Sequence, residues 1–141
     1  MDFQWFVEKR KVLKRSSDIN FIRGLVESSQ NRMEFARRNV KDEPKYAFEN
    51  AYESVIVLID GLLALGDYKS YSHEANIVFL ATLKNFTPDE IEKLDALRIK
   101  RHGLKYYGKE IAPDDALAYF YFLDGLFNKI LAILQEKLTK K

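Results

Sequence analysis

The sequence predicts an all-α protein, an antiparallel up-and-down bundle of four to five helices. Apolar residues recur at steps of three and four along most of the chain, and each of the three prolines stands where a helix can begin. No stretch alternates apolar and polar residues for long enough to suggest a sheet. A chain of 141 residues that is 47% apolar can bury one core. We therefore expect a single domain over residues 1–141, with its core at about 18–138.

The N-terminal part is expected to hold a short leading helix within residues 1–15 and a first long helix over residues 18–40. The long helix has a capping residue at its start, Ser17 or Asp18. Its apolar face recurs at helical spacing: Ile22, Val26, Ser29, Met33, Ala36 and Val40.

Two further helices are expected in the middle of the chain. Pro44 suits the first turn of the second long helix. Gly66 is expected to end that helix in left-handed geometry. Ser72 then caps a short third helix that runs to about Leu83. The stripe of the second long helix is Ala47, Ala51, Val55, Leu58, Leu62 and Leu65.

The last two helices have the clearest start signals. Thr87 and Glu90, on either side of Pro88 and Asp89, form the pattern of a capping box. This fourth helix is expected to end at Gly108. Pro113 opens a fifth helix, which carries the apolar stripe Leu117, Phe120, Phe127, Leu131, Leu134 and Leu138.

The composition excludes several kinds of site. Without cysteine, the chain has no disulfides, thiolate metal sites or cysteine nucleophiles. The two histidines show no metal-ligand spacing, and the six glycines form no phosphate-binding loop, so no metal and no cofactor are predicted. His73 is interpreted as a cap-region or interface residue.

The location predicted from the sequence is cytoplasmic, with no contact to a membrane. The longest apolar stretch, residues 55–65, is interrupted by Asp60 and Gly61 and is shorter than the roughly 20 residues that span a bilayer. The apolar residues near the N-terminus give way to a charged run at 8–11, which is unlike a signal peptide.

Charge is segregated along the chain. Residues 1–41 carry a net charge of +5, residues 42–95 carry −7, and residues 96–141 carry +4. This pattern suits either a basic face that binds phosphates or a dimer with complementary surfaces.

The candidate site lies in "RIKRHGLKYYGKE", residues 98–110. Arg98 and Arg101 continue the inward apolar stripe of the fourth helix. His102 lies one turn after Arg98, and Tyr106 one turn after His102, so guanidinium, imidazole and phenol can line up along about two turns of helix. The alternative is that the arginine stems only cover the end of the core while their heads reach water.

A carboxylate on the fifth helix supports a functional interpretation. Asp124 stands on the apolar stripe, and a charge in that position needs a partner because burying it unpaired is costly. Arg98 or Arg101 is the expected partner, and Asn128, one turn later, is expected to belong to the same polar seam. Such a pair can equally fix helix register, or Asp124 can face an interface.

Four segments of the chain form a recognisable series: "LRIKRHGLKYYG" followed by "APDDALAYFYFLDGLFNKIL", "AFENAYESVIVLIDGLLALG" upstream, and the helix led by His73. Together they resemble HEPN domains of bacteria and archaea. It covers about residues 18–138 and rests on helix order and a few positions.

The resemblance implies a homodimer in which paired motif helices form a composite cleft. In HEPN ribonucleases the motif is an arginine, an adjacent polar residue and a later histidine. Arg101 matches the arginine and His102 the polar position, but Tyr106 or Tyr107 stands at the histidine position. A tyrosine with a pKa near 10 is a poorer acid–base group at neutral pH than an imidazole near 6.5.

Three functions stay open from the sequence. In the first, Arg98, Arg101 and Lys105 bind the phosphates of a nucleotide or RNA, while Tyr106 and Tyr107 stack on bases or touch a partner. The HEPN resemblance then implies one half of a two-protein system, often a toxin–antitoxin pair, whose other half is a minimal nucleotidyltransferase.

The second function is metal-independent RNA cleavage with Arg101, His102 and Tyr106 as catalytic residues, leaving a 2′,3′-cyclic phosphate. The third is a purely structural bundle that dimerises. The side chains of residues 119–122, "YFYF", point to several sides of the last helix. Part of this cluster is therefore expected to lie against another subunit.

Overall fold

The protein is mostly helical, with 75% of the chain in helices. The computed structural model describes residues 1–140, and Lys141, the last residue of the predicted domain, lies outside the described residues. The helices are α1 (Phe3–Glu8), α2 (Ile19–Asn39), α3 (Pro44–Leu65), α4 (His73–Thr82), α5 (Pro88–Tyr106) and α6 (Pro113–Thr139), and the strands are β1 (Val12–Lys14) and β2 (Tyr68–Ser70).

Helix α3 is the centre of the fold. It buries 13 of its 22 residues, because apolar side chains cover most of its circumference, and α2 and α6 both pack along it. The contact with α6 is close at Gly61, where a Cβ atom would lie 3.0 Å from Leu134 Cδ2. Three acidic side chains of α3, Glu49, Glu53 and Asp60, are only partly buried and lie at its borders. The candidate sites described below are built on these borders.

The predicted helix starts are confirmed. Thr87 Oγ1 accepts a hydrogen bond from the Glu90 amide while the Glu90 carboxylate accepts one from the Thr87 amide, which is the capping box expected at the start of α5. Asp18, rather than Ser17, caps α2, and Ser72 caps α4. Each capping side chain accepts a hydrogen bond from a backbone N–H group of the first turn, which has no acceptor within the helix.

The helix ends differ from the prediction in detail. Gly66 has an ordinary negative φ of −91°, and the left-handed residue is Asp67, with φ of +64°. Helix α5 ends at Tyr106, and the left-handed residue Gly108 follows two positions later with φ of +60°. The turn after α3 is tied down from a distance, since the Asp67 carbonyl accepts a hydrogen bond from the Arg15 amide at 2.8 Å.

The expectation of no sheet is wrong, whereas the short leading helix expected within residues 1–15 is present as α1. Helix α1 stops at Glu8, Arg10 adopts a positive φ of +60°, and β1 then pairs antiparallel with β2, Val12 lying opposite Ser70. Each strand has only three residues, too few for an alternating pattern to be recognised. Because the partner strand lies more than 50 residues away, the pairing depends on tertiary contacts.

Helix α6 has the length and composition of a membrane-spanning helix, with a mean hydropathy of 1.4 over its most apolar window, of which 33% is buried within the protein. The core helix of a soluble protein meets the same criteria, so this property is weak evidence for a membrane. The absence of a membrane stays a prediction.

Candidate functional site

A cleft of about 350 Å³ joins the C-terminal part of α5 to α3 and to the start of α4. We call it the arginine cleft. It brings together side chains from three helices that are far apart in the sequence. Its lining consists of Tyr52, Glu53, Ser72, His73, Glu74, Arg98, Arg101, His102, Lys105 and Tyr106.

Arg101 is the most buried cation of this cleft, with 15% of its side chain exposed. Its Nη1 lies 3.5 Å from Glu49 Oε2 and its Nη2 lies 4.0 Å from Glu53 Oε1. Neither contact reaches the 2.7–2.9 Å of a strong charge-assisted hydrogen bond. Within residues 1–140, Arg101 Nε and Nη1 are buried without any hydrogen-bond partner. The guanidinium is therefore held by charge but is short of hydrogen bonds.

Arg98 is held more firmly. Its Nε donates a hydrogen bond of 2.8 Å to Asp95 Oδ1, and its Nη2 lies 3.5 Å from Glu74 Oε2. Burial alone would lower the pKa of Arg98, but the hydrogen bond to Asp95 and the charges of Asp95 and Glu74 outweigh it and raise the pKa. Arg98 thus keeps its charge, and its head is fixed between two carboxylates.

His73 lies in this cleft together with His102, so both histidines of the chain line one cavity. His73 Nδ1 is 3.1 Å from the hydroxyl of Tyr52, whose side chain is buried. Burial, with the nearby charge of Glu53, raises the pKa of Tyr52, so this phenol stays neutral. The hydrogen bond orients the imidazole, and the phenol can donate to Nδ1 in one tautomer or accept from it in the other.

The interpretation of His73 as a cap-region residue is confirmed, because His73 is the first residue of α4 and follows the capping residue Ser72. Its place beside Arg98 and His102 is not visible in the sequence, where 29 positions separate the two histidines. The only available signal was that His73 and His102 are the two histidines of the chain.

The aromatic end of the cleft is open to solvent. The rings of His102 and Tyr106 lie 4.7 Å apart between centroids, and Lys105 Nζ lies 5.2 Å from the Tyr106 ring. Tyr106 is 61% exposed and lines the cleft. Tyr107 is exposed as well, its ring centroid lies 5.5 Å from that of His102, and it does not line the cleft.

The expected pairing of Asp124 with Arg98 or Arg101 is wrong. Asp124 Oδ1 accepts hydrogen bonds from Arg37 on α2, at 2.9 Å from Nε and 2.7 Å from Nη2. Asn128 Oδ1 accepts a further hydrogen bond of 3.1 Å from Arg37 Nη2, so Asp124 and Asn128 do share one polar seam. The reason is geometric, since α6 turns this seam toward α2 and not toward α5.

The electrostatic character of the arginine cleft is mixed. Arg98 and Arg101 face four carboxylates, those of Glu49, Glu53, Glu74 and Asp95. Lys105 has no carboxylate within 4.0 Å in the described part of the chain. The arrangement holds two guanidinium groups and two imidazoles around one cavity, a set that can bind phosphate and move protons. Residues 1–140 contain no group of three or more side chains suited to holding a metal ion.

Comparison with known proteins returned nothing similar: no family model, no curated protein and no solved structure matches this chain.

Proposed function

We propose that this chain is a HEPN-like, up-and-down helical protein that binds the phosphates of a nucleotide or RNA in the arginine cleft. The convergence of Arg98, Arg101, Lys105 and Tyr106 on one cavity supports the proposal. The cavity volume of about 350 Å³ lies in the range of small-molecule sites. Guanidinium and ammonium groups bind phosphate oxygens, and an exposed tyrosine ring offers a surface on which a base can stack.

Arg101 is the main phosphate ligand in this proposal. Its contacts to Glu49 and Glu53 are long, at 3.5 and 4.0 Å, so a phosphate oxygen displaces weaker contacts here than at a guanidinium with a close hydrogen-bonded partner. Arg98, fixed by Asp95 at 2.8 Å, provides a second positive charge whose position changes little on binding.

The binding test uses a short fluorescent single-stranded RNA, titrated with protein at several salt concentrations. Arg101→Ala is expected to weaken binding at least tenfold and to flatten the dependence on salt, because it removes one phosphate contact. Arg23→Ala, which removes an exposed arginine of α2 outside the cleft, is the matched control and is expected to bind as the unmodified chain does. Equal losses in both variants would mean that the chain attracts RNA only by net charge.

The proposal includes a homodimer and a partner of the minimal nucleotidyltransferase type, as the HEPN resemblance implies. In the "YFYF" cluster, Phe120 is buried in the core while Tyr121 is 55% exposed, which leaves aromatic surface for a second subunit. Light scattering of the purified chain measures the dimer, and a monomer at working concentration would contradict it. Copurification with the product of a neighbouring nucleotidyltransferase gene tests the partner.

The second candidate function is metal-independent RNA cleavage, and the observation in its favour is that His73 and His102 share the cleft with Arg98 and Arg101. One imidazole would take the proton from the ribose 2′-hydroxyl, and the 2′-oxygen would then attack phosphorus. The other imidazole would protonate the departing 5′-oxygen, leaving a 2′,3′-cyclic phosphate. His73 would replace the motif histidine that the sequence lacks, and Tyr106, against His102, would orient that ring.

Incubation of labelled RNA with the protein in EDTA tests this candidate. The expected product carries a 2′,3′-cyclic phosphate, and His73→Ala, His102→Ala and Arg101→Ala are each expected to slow its formation at least a hundredfold. RNA that stays intact with the unmodified protein would refute cleavage by the isolated chain and leave the binding function in place. A purely structural dimer predicts neither binding nor cleavage.

A further inference from the structure

A second cleft, of about 390 Å³, is lined in part by β2. We call it the Asp60 cleft. It is formed by the segment that joins β1 to α2, by the first turns of α2, by β2 and by the C-terminal half of α3. Its lining residues are Arg15, Ser16, Ser17, Asp18, Phe21, Leu25, Asp60, Ala64, Tyr68, Lys69 and Ser70, none of which lines the arginine cleft.

The cations of the Asp60 cleft are Arg15 and Lys69. Neither has a carboxylate within 4.0 Å anywhere in residues 1–140, in contrast to Arg98 and Arg101. The backbone beneath Arg15 is held in place, because its amide donates to the Asp67 carbonyl. Arg15 and Lys69 are therefore in no close ion pair, although Asp18 and Asp60 line the same cleft, and they can bind an anionic group without first releasing a partner.

Asp60, on α3, contributes a negatively charged carboxylate to the same cleft. Its Oδ1 accepts a hydrogen bond of 2.9 Å from Asn76 Nδ2, and Asn76 is itself buried. No cation lies within 4.0 Å of this carboxylate in the described chain. A carboxylate has about four lone-pair positions, so Asp60 retains acceptors for N–H groups of a ligand.

Two aromatic side chains, Phe21 and Tyr68, line the same cleft. Phe21 is 49% exposed although it lines the cleft, so its ring has surface left to cover. Tyr68 is firmly placed by Phe3, whose ring meets it edge-on at 5.1 Å, and by Lys14 Nζ at 4.2 Å from its centroid. A planar aromatic ligand can cover Phe21 while its polar ends reach Asp60 and the two cations.

We propose that the Asp60 cleft binds a guanine nucleotide, with the base edge on Asp60 and the phosphate on Arg15 and Lys69. Guanine offers two parallel N–H donors on its Watson–Crick edge, which match a carboxylate. Adenine places a ring acceptor where the carboxylate lies. Arg15 and Lys69 disfavour an organic cation, and phosphate alone leaves Asp60 and Phe21 unused. The Asp18 carboxylate, which caps α2 by accepting from the Phe21 amide, keeps the phosphate away from the helix end and on Arg15 and Lys69.

Equilibrium dialysis with radiolabelled guanosine 5′-monophosphate tests the proposal directly, with competition by unlabelled nucleotides. Inosine monophosphate, which lacks the 2-amino group, is expected to compete about tenfold more weakly, since one hydrogen bond of this kind is worth about a factor of ten. Adenosine monophosphate and inorganic phosphate are expected to compete more weakly still. Equal competition by the adenine, inosine and guanine nucleotides would overturn the assignment of guanine, and no retention of the label would overturn the site.

Variants locate the binding in the Asp60 cleft. Asp60→Asn keeps the size of the side chain and is expected to lower the affinity for guanosine monophosphate at least tenfold. Arg15→Ala is expected to lower it to a similar extent, but to leave the affinity for uncharged guanosine unchanged. Phe21→Ala, at an exposed position, gives a further test that does not depend on core stability. Binding that survives all three variants would overturn the proposal.

The proposed guanine site does not depend on the proposed function of the arginine cleft, and different results would refute each of the two proposals. Arg101→Ala is expected to weaken binding of single-stranded RNA at least tenfold and to keep the Asp60-dependent binding of guanosine monophosphate. Loss of the mononucleotide in Arg101→Ala and its retention in Asp60→Asn would place it in the arginine cleft and refute the second site.

Discussion

The hydrogen-bonded pair between Arg37 and Asp124 joins α2 to α6 and is expected to stabilise the fold measurably. Arg37 donates twice to Asp124 Oδ1, at 2.9 and 2.7 Å, and once to Asn128 at 3.1 Å. The side chains of Arg37 and Asp124 are 34% and 25% exposed, so water screens the pair only in part. The two residues are 87 positions apart in the sequence.

The size of the effect follows from that geometry. Hydrogen bonds to charged groups contribute about 1.5–3 kcal/mol each, whereas exposed ion pairs contribute about 0–1 kcal/mol. For a partly exposed pair with two good bonds on one oxygen, we expect a coupling free energy of about 1.5 kcal/mol. Asp124→Ala alone is expected to cost about 2 kcal/mol, because it also leaves the Arg37 guanidinium with fewer partners.

A double-mutant cycle measured by urea unfolding tests this value, with Arg37→Ala, Asp124→Ala and the double variant. The control cycle combines Arg101→Ala with Asp124→Ala and is expected to be additive within about 0.5 kcal/mol, since these residues do not pair. A coupling below about 0.5 kcal/mol in the first cycle would refute the reasoning. Strong coupling in the control cycle would restore the pairing that the sequence predicts.

Three further predictions concern stability. Gly125→Ala is expected to raise the free energy of unfolding by about 0.5–1 kcal/mol, because its Cβ meets nothing within 4 Å, whereas Gly61→Ala is expected to lower it, because its Cβ would lie 3.0 Å from Leu134 Cδ2. Urea unfolding of both variants checks this, and equal signs would contradict it. Burial raises the pKa of Asp60 in the folded protein, so its ionisation favours the unfolded chain as pH rises from about 3.9 through the folded pKa. Asp60→Asn is therefore expected to be the more stable protein at pH 7 and to lose that advantage below about pH 3.9, and an advantage that does not change with pH would contradict the burial argument. Thr87→Ala is expected to lower the free energy of unfolding by about 1 kcal/mol by removing the cap of α5, and Thr87→Ser is expected to restore most of it.

The helices could be predicted from the sequence because their signals are local. The capping box at Thr87 and Glu90 and the proline at the start of α3 act within one turn of helix, so the residues that define these starts are neighbours in the chain. The strands β1 and β2 could not be predicted, since three residues carry too little pattern and each strand depends on the other.

The candidate site could be predicted only in its outline. The spacing of Arg98, Arg101 and His102 on one helix places them close together, and the structure finds all three along one cleft. The glutamates that face Arg101 come from α3, and His73 comes from α4. Nothing in the spacing of α5 indicates which residues of other helices will lie opposite it.

The sequence by itself determined where each main helix begins and which of its faces is apolar, because helix periodicity and capping are properties of neighbouring residues. The tertiary structure decided which charged side chains meet. Asp124 requires a cation by its position on an apolar stripe, but the packing of α6 beside α2 gives it Arg37 instead of an arginine of α5. Within residues 1–140, the same packing leaves Arg15 and Lys69 without a carboxylate closer than 4.0 Å and places carboxylates around Arg98 and Arg101. Which cations are free to bind a ligand therefore depends on how the helices pack, since a charge is compensated by whatever lies within a few ångströms in space.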